Sequence, residues 1–138
     1  MTITKHAALL LMTLVGLTGL LNAQKSTTVT AQIPFAFVAN GTTMPAGECT
    51  IEIDVNGRTE LSIRSGKQHI FASPIGDESA SARKKTALVF HNYGNRYFLA
   101  AIEHEGGTGY QLPASRVERE LQARNIPWQT LTLLASAK

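Results

Sequence analysis

Cysteine is nearly absent from this sequence: Cys49 is the only one in 138 residues. A lone thiol excludes an internal disulfide and any multi-cysteine zinc or iron–sulfur cage, so the fold must be held by a packed core. Charge is also scarce, at 17% of residues, and nearly balanced, with 13 Lys and Arg against 10 Asp and Glu. A formal +3 spread along the chain is too small and too dispersed to indicate a nucleic-acid surface. The length leaves room for one domain of modest size and excludes a multidomain machine. There is no Gly-x-Ser-x-Gly nucleophile elbow, and Gly106, Gly107 and Gly109 are not followed by the Lys-Ser/Thr pair of a phosphate loop.

The first segment reads as an address. Lys5 and His6 form a short basic region, residues 7–21 are uncharged and rich in Leu, and Leu21-Asn22-Ala23 offers a cleavage site. A membrane-spanning helix needs about 20 apolar residues, more than this run supplies. The expectation is a signal peptide over 1–23, cleavage near Ala23, and an exported, periplasmic or extracellular domain over 24–138. No integral membrane span is left after cleavage.

The remainder is patterned as strands. Val29, Ala31, Ile33, Phe35 and Phe37 alternate with smaller or polar residues, which predicts a half-buried strand over 28–37 with an edge position or bulge at Pro34. Cys49, Ile51 and Ile53, then Thr59, Leu61 and Ile63, predict a hairpin. A three-residue Val55-Asn56-Gly57 loop keeps one face apolar and pairs Ile53 with Thr59 and Ile51 with Leu61. A strand is expected around 69–73. Residues 76–85 show no periodicity and read as a mobile loop ending in the basic run Arg83-Lys84-Lys85, a solvated loop end. Residues 86–91 and 97–102 read as a central hairpin buried on both faces, and 106–109 as a flexible connection. Ser115 and Glu118 have capping-box spacing, so a helix to about Arg124 is predicted. Val117 and Leu121 would lie on its inner face, Glu120 and Arg124 would pair outside, and Asn125 and Pro127 would stop it. A last strand covers 128–135. Six to seven strands and one short helix in the C-terminal half predict a mainly β fold, an antiparallel β-sandwich or small open barrel.

Chemistry-bearing residues do not cluster in the sequence. His69, His91 and His104 lack the short spacing of metal ligands, and Glu103 and Glu105 flank His104 on the opposite strand face. Cys49 alternates with Ile51 and reads as a small buried hydrophobe. Ser65 and His69 lie close only because a turn separates them. Asn40-Gly41-Thr42 is a formal glycosylation sequon. No catalytic residue, metal or cofactor is assigned. Tyr93, Tyr97 and Tyr110 at loop borders, with Arg96 and Arg116, are the candidate ligand- or partner-binding residues.

The run Leu88-Val89-Phe90-His91-Asn92-Tyr93-Gly94-Asn95-Arg96-Tyr97-Phe98-Leu99, followed by Gln111-Leu112-Pro113-Ala114-Ser115-Arg116-Val117-Glu118-Arg119-Glu120-Leu121, resembles a family of small exported bacterial proteins of unknown function. Ile33-Pro34-Phe35 and Met44-Pro45-Ala46-Gly47 resemble that family's first strands. The resemblance implies the same fold and export and assigns no catalytic residues. In the second motif Arg116, Glu118 and Arg119 are expected to form surface ion pairs. The leading functional expectation is a non-enzymatic domain that binds a protein partner, an envelope component or a small apolar ligand. A hydrolytic or metal-dependent enzyme using His91, His104 or His69 with Glu103 or Glu105 is the alternative. A third is an assembly subunit joined by strand addition through 28–37 or the C-terminal strand. A monomer or weak oligomer is expected, without nucleic acid.

Overall fold

The computed structural model describes residues 26–79, 85–106 and 108–138. The expected signal segment, and Arg83 and Lys84 of the basic run, lie outside the described residues. The strand expected over 28–37 is two strands in two sheets. β1 (Ser26–Ile33) buries Val29, Ala31 and Ile33 and ends at Pro34, and after a bend the chain enters β2 (Phe37–Ala39) in the opposite sheet. Asn40 and Gly41, at φ 47° and 81°, turn it into β3 (Thr42–Met44). Pro45 then leads back to the first sheet as β4 (Gly47–Asp54), which runs on through β5 (Glu60–Ser65) and β6 (Gln68–Ala72). Pro74 marks the next crossing, into β7 (Gly76–Ser79). Three of the five prolines thus stand where the chain changes sheets. Proline has no N–H to give a ladder, so a strand can end there without stranding a donor.

The second sheet is completed by β8 (Ala87–Tyr93), β9 (Arg96–Glu103) and β10 (Thr108–Gln111). The helix α1 (Arg116–Ala123) follows, then β11 (Gln129–Leu134) and the two-residue β12 (Ser136–Ala137). The strand orders are β12-β1-β4-β5-β6 and β11-β8-β9-β10-β7, and β2 attaches to β9 through a parallel contact between Val38 and Phe98. The architecture is a β-sandwich, with a single short helix among the described residues. Against the expected six to seven strands, the described residues form twelve: the 28–37 strand is divided at Pro34, the last one at Ala135, where β11 passes into β12 of the other sheet, and β3, β7 and β10 are additional short strands in stretches read as turns or loops.

The β4–β5 hairpin keeps the expected face but not the expected register. Ile53 pairs with Leu61 and Ile51 with Ile63, so the loop spans five residues, 55–59, rather than three. A shift of two preserves parity, which is why Ile51, Ile53, Leu61 and Ile63 all stay buried. Asp54 draws the longer loop together by accepting from the backbone N–H of Asn56 at 2.9 Å and from its amide at 2.8 Å. Residues 76–79, read as loop, form β7 against β10, and Thr108 and Gly109 belong to β10 rather than to a flexible link. β7 is the edge strand and β10 lies between it and β9, and in both short segments backbone pairing overrides a sequence with no apolar alternation.

Between the sheets, Phe37, Phe90, Met44, Ile51, Ile63 and Leu88 are fully buried. Each such side chain contributes about 1.5–3 kcal/mol relative to exposure. Phe90 meets Phe37 and Phe35 edge to face at ring separations of 5.5 and 5.2 Å. At the β5–β6 turn the Ser65 hydroxyl donates to the Pro45 carbonyl at 2.7 Å. Gly66, at φ 56°, lies so close that a Cβ there would stand 2.9 Å from Pro45 Cγ.

Candidate functional site

The outward face of the second sheet carries the densest polar cluster. On β8 the inward residues are Leu88 and Phe90, so His91 and Tyr93 point the other way, beside Phe98 and Arg96 of β9. Tyr93 and Phe98 are buried yet stand apart from the main core. They form a second, smaller core on this face, with their rings edge to face at 5.5 Å.

α1 covers that face. Ser115 caps it as expected, accepting from the Glu118 N–H at 3.2 Å. At the other end Asn125 adopts φ 55°, its N–H reaches Gln122 O, and the Ile126 N–H reaches Leu121 O, the hydrogen-bond pair of a Schellman motif. The buried face is not the expected one. Val117 is 40% exposed and Leu121 half-buried, whereas Glu118 is the one buried residue of the helix. Its carboxylate does not turn back to close a capping box. Two donors on β8 claim it instead, because the sheet surface beneath the helix is polar.

His91 Nδ1 lies 2.6 Å from Glu118 Oε1, and the Tyr93 hydroxyl donates to the same oxygen at 3.2 Å. A carboxylate oxygen only accepts, so Nδ1 carries the proton of this bond. Gln122, one turn beyond Glu118, donates to the Tyr93 hydroxyl at 3.1 Å. Trp128 leans over the imidazole with ring centres 4.2 Å apart. Burial, together with the charge and hydrogen bond of Glu118 and against the Gln122 bond, pushes the Tyr93 phenol above its ordinary 10.0. The half-exposed His91 ring thus lies between the Glu118 carboxylate and the Trp128 indole. Among the described residues no serine or cysteine hydrogen-bonds to it.

The other histidines are elsewhere. His69, on β6 at the rim of the first sheet, pairs through Nε2 with the Ser62 hydroxyl at 2.8 Å. Ser65, its neighbour across the turn, is buried and directed to Pro45. His104, just past β9, donates from Nδ1 to the Glu105 carbonyl at 2.7 Å, and Glu103 beside it is buried. Among the described residues no three His, Cys, Asp or Glu side chains are grouped so as to hold a metal ion.

The candidate binding residues do not share one surface. Tyr93 is buried in the Glu118 cluster, and Arg96 lies over the Phe98 ring at 5.6 Å on the same face. Tyr97 points inward and stacks on Phe35 with ring centres 3.8 Å apart. Tyr110 lines an open groove of about 390 Å³ with Arg58, Thr59 and Ile75. Arg116 is exposed and pairs with Glu120 at 3.3 Å, in place of the expected Glu120–Arg124 pair. Glu118, Gln122 and Trp128 were not among the sequence candidates. Their local signal was present: His91 and Tyr93 are two apart on a strand, and Glu118 and Gln122 four apart on a helix, so each pair shares a face. Nothing local states that the two faces meet.

The sheet edge next to this cluster is also distinctive. Among the described residues β11 pairs with β8 alone, and it closes the order of its sheet. Ala135 N–H donates to Thr86 O at 3.0 Å, so the same series of alternate residues, Leu133, Leu131 and Gln129, carries the ladder to β8. Thr130, Thr132 and Leu134 therefore turn their backbone N–H and C=O groups away from the sheet. Trp128 and Leu134, at 44% and 66% exposure, bracket the edge.

Comparison with protein-family models, with curated proteins and with solved structures finds no match to this chain.

Proposed function

We propose that this chain is an exported, non-enzymatic β-sandwich that binds a protein partner along the edge of β11. The outward row of backbone groups at Thr130, Thr132 and Leu134 carries this reading. Edge strands are commonly blunted by lysine, proline or a bulge, and Gln129–Leu134 contains no charged residue and no proline. An open row of donors and acceptors on an uncharged strand is a template for another strand. Export is inferred from the basic and apolar pattern of the first 23 residues. It accords with the finding that no helix among the described residues is long and apolar enough to cross a membrane. The resemblance to small exported bacterial proteins is part of the same proposal.

Carriage of a small apolar ligand has less support. The space between the sheets is occupied by the protein's own side chains, and grooves such as that of about 350 Å³ lined by Glu52, Ser62, Arg64 and His69 are open and polar. The test is a photo-crosslinking residue placed at Thr132 in the producing cell, with Glu52 on the opposite sheet as control. A protein adduct at 132 and none at 52 is expected. Absence of an adduct at 132 would overturn the reading.

One observation favours a second reading. His91, held through Nδ1 by a buried carboxylate, has the geometry of an activated base. Turnover of an aryl ester that disappears in a folded His91→Gln variant would establish proton-transfer chemistry there, and a parent protein without turnover would remove it.

A further inference from the structure

We infer that the partner taken up by β11 is a second copy of this chain, joined edge to edge about a two-fold axis at Thr132; the inference rests on the edge-binding reading above. Antiparallel pairing requires that outward-bonding residues meet outward-bonding residues. In β11 these are the even-numbered ones. An axis at Thr132 places Thr132 opposite Thr132 of the second copy and Thr130 opposite Leu134 of the second copy, so even meets even and the unpaired N–H and C=O groups of all three residues are used.

The side chains agree with this register. Thr130, Thr132 and Leu134 are exposed on the outward face, where a central Thr–Thr pair is flanked by two Thr–Leu pairs. On the inward face Leu131 meets Leu133 of the second copy. Both leucines are half-buried and packed on the core in one copy, so pairing extends the covered apolar layer across the junction. No charged side chain lies between residues 129 and 134, so the two-fold brings no like charges together. The first sheet's rim strand, β6, is a poorer alternative: the Asn40 amide already donates to the Phe71 carbonyl at 3.1 Å and blocks part of its edge. The product is a continuous sheet whose main path runs through ten strands, β7-β10-β9-β8-β11 and then the same strands of the second copy in reverse order.

Sedimentation velocity of the purified protein from about 1 to 200 µM is expected to show a monomer passing to a species of twice the chain mass. Thr132→Lys sets two like charges against each other at the axis and is expected to raise the dissociation constant at least about tenfold, and Thr132→Glu likewise. An equimolar mixture of the two restores the dimer as a heterodimer. Thr130→Lys, on the same exposed face, is the second variant should either of these fail to fold by circular dichroism. A parent chain that stays monomeric throughout, a dimer indifferent to these substitutions, or a mixture that does not re-form it would overturn the inference. If the chain is monomeric and position 132 still crosslinks to a different protein, the edge-binding reading stands and self-pairing falls. If it is monomeric and position 132 gives no adduct, both fall.

Discussion

Replacing Glu118 by alanine removes the acceptor shared by His91 and Tyr93 and the one buried side chain of α1. A hydrogen bond to a charged group contributes about 1.5–3 kcal/mol. Both contributions fall toward the low end here. The Tyr93 bond is long at 3.2 Å and its hydroxyl keeps Gln122, while the His91 side chain is 26% exposed and can be rehydrated. Relief of the carboxylate's own desolvation offsets part of the loss. The expected destabilisation is therefore about 2–3 kcal/mol, a large share of the roughly 5–15 kcal/mol that holds a domain folded. An eight-residue helix has little stability of its own, so its amides should exchange faster in the variant than those of β4 or β5. Urea unfolding read from Trp128, the sole tryptophan, measures the change. A cycle with His91→Ala should give a coupling of about 1–2 kcal/mol. A Glu118→Ala protein within about 0.5 kcal/mol of the parent, or strictly additive single variants, would refute the claim that this pair docks the helix.

Three further outcomes are expected. Burial pushes the Cys49 thiol from 9.0 up to about 12, so the native state keeps its proton while the unfolded chain loses it near pH 9. Its contribution is then fully present below pH 9 and falls by at most about 1.4 kcal/mol per pH unit as pH rises toward 12. The stability difference between the parent and Cys49→Ala, followed by urea titration from about pH 8 to 11, should shrink accordingly; a difference that stays flat would contradict the burial argument. Gly66→Ala combines a left-handed backbone with a Cβ 2.9 Å from Pro45 Cγ and should cost about 2 kcal/mol or more in equilibrium unfolding, where an unchanged midpoint would show that the turn relaxes freely. Phe90→Ala removes a fully buried ring from between Phe35 and Phe37 and should cost about 3–5 kcal/mol, measured by thermal or urea denaturation.

The legibility of the sequence follows the range of each interaction. Alternation marked β1, β4 and β5 because the two-residue period of a strand is local, and Ser115, Asn125 and Pro127 marked the ends of α1 because caps are local too. Loop length was less legible. Parity excludes a slip of one residue between β4 and β5 but is blind to a slip of two, and the Asp54–Asn56 bonds that accompany the longer loop form only within it. β7 carried no apolar signal, since β10 supplies its hydrogen bonds through backbone alone. The helix face was misjudged because a valine and a leucine four apart are read as an inner face wherever the opposing surface is apolar. Here that surface presents His91 and Tyr93.

By itself, then, the sequence determined the β class, the one capped helix, the absence of a disulfide and the alternating faces that make the core, all set by neighbours within a few residues. Tertiary structure alone decided that the prolines at 34, 45 and 74 are passages between two sheets, that Glu118 turns inward onto His91, and that β11 is left as an edge. Those features depend on which distant segments meet, and hydrogen-bond demand at long range is not written in any local pattern.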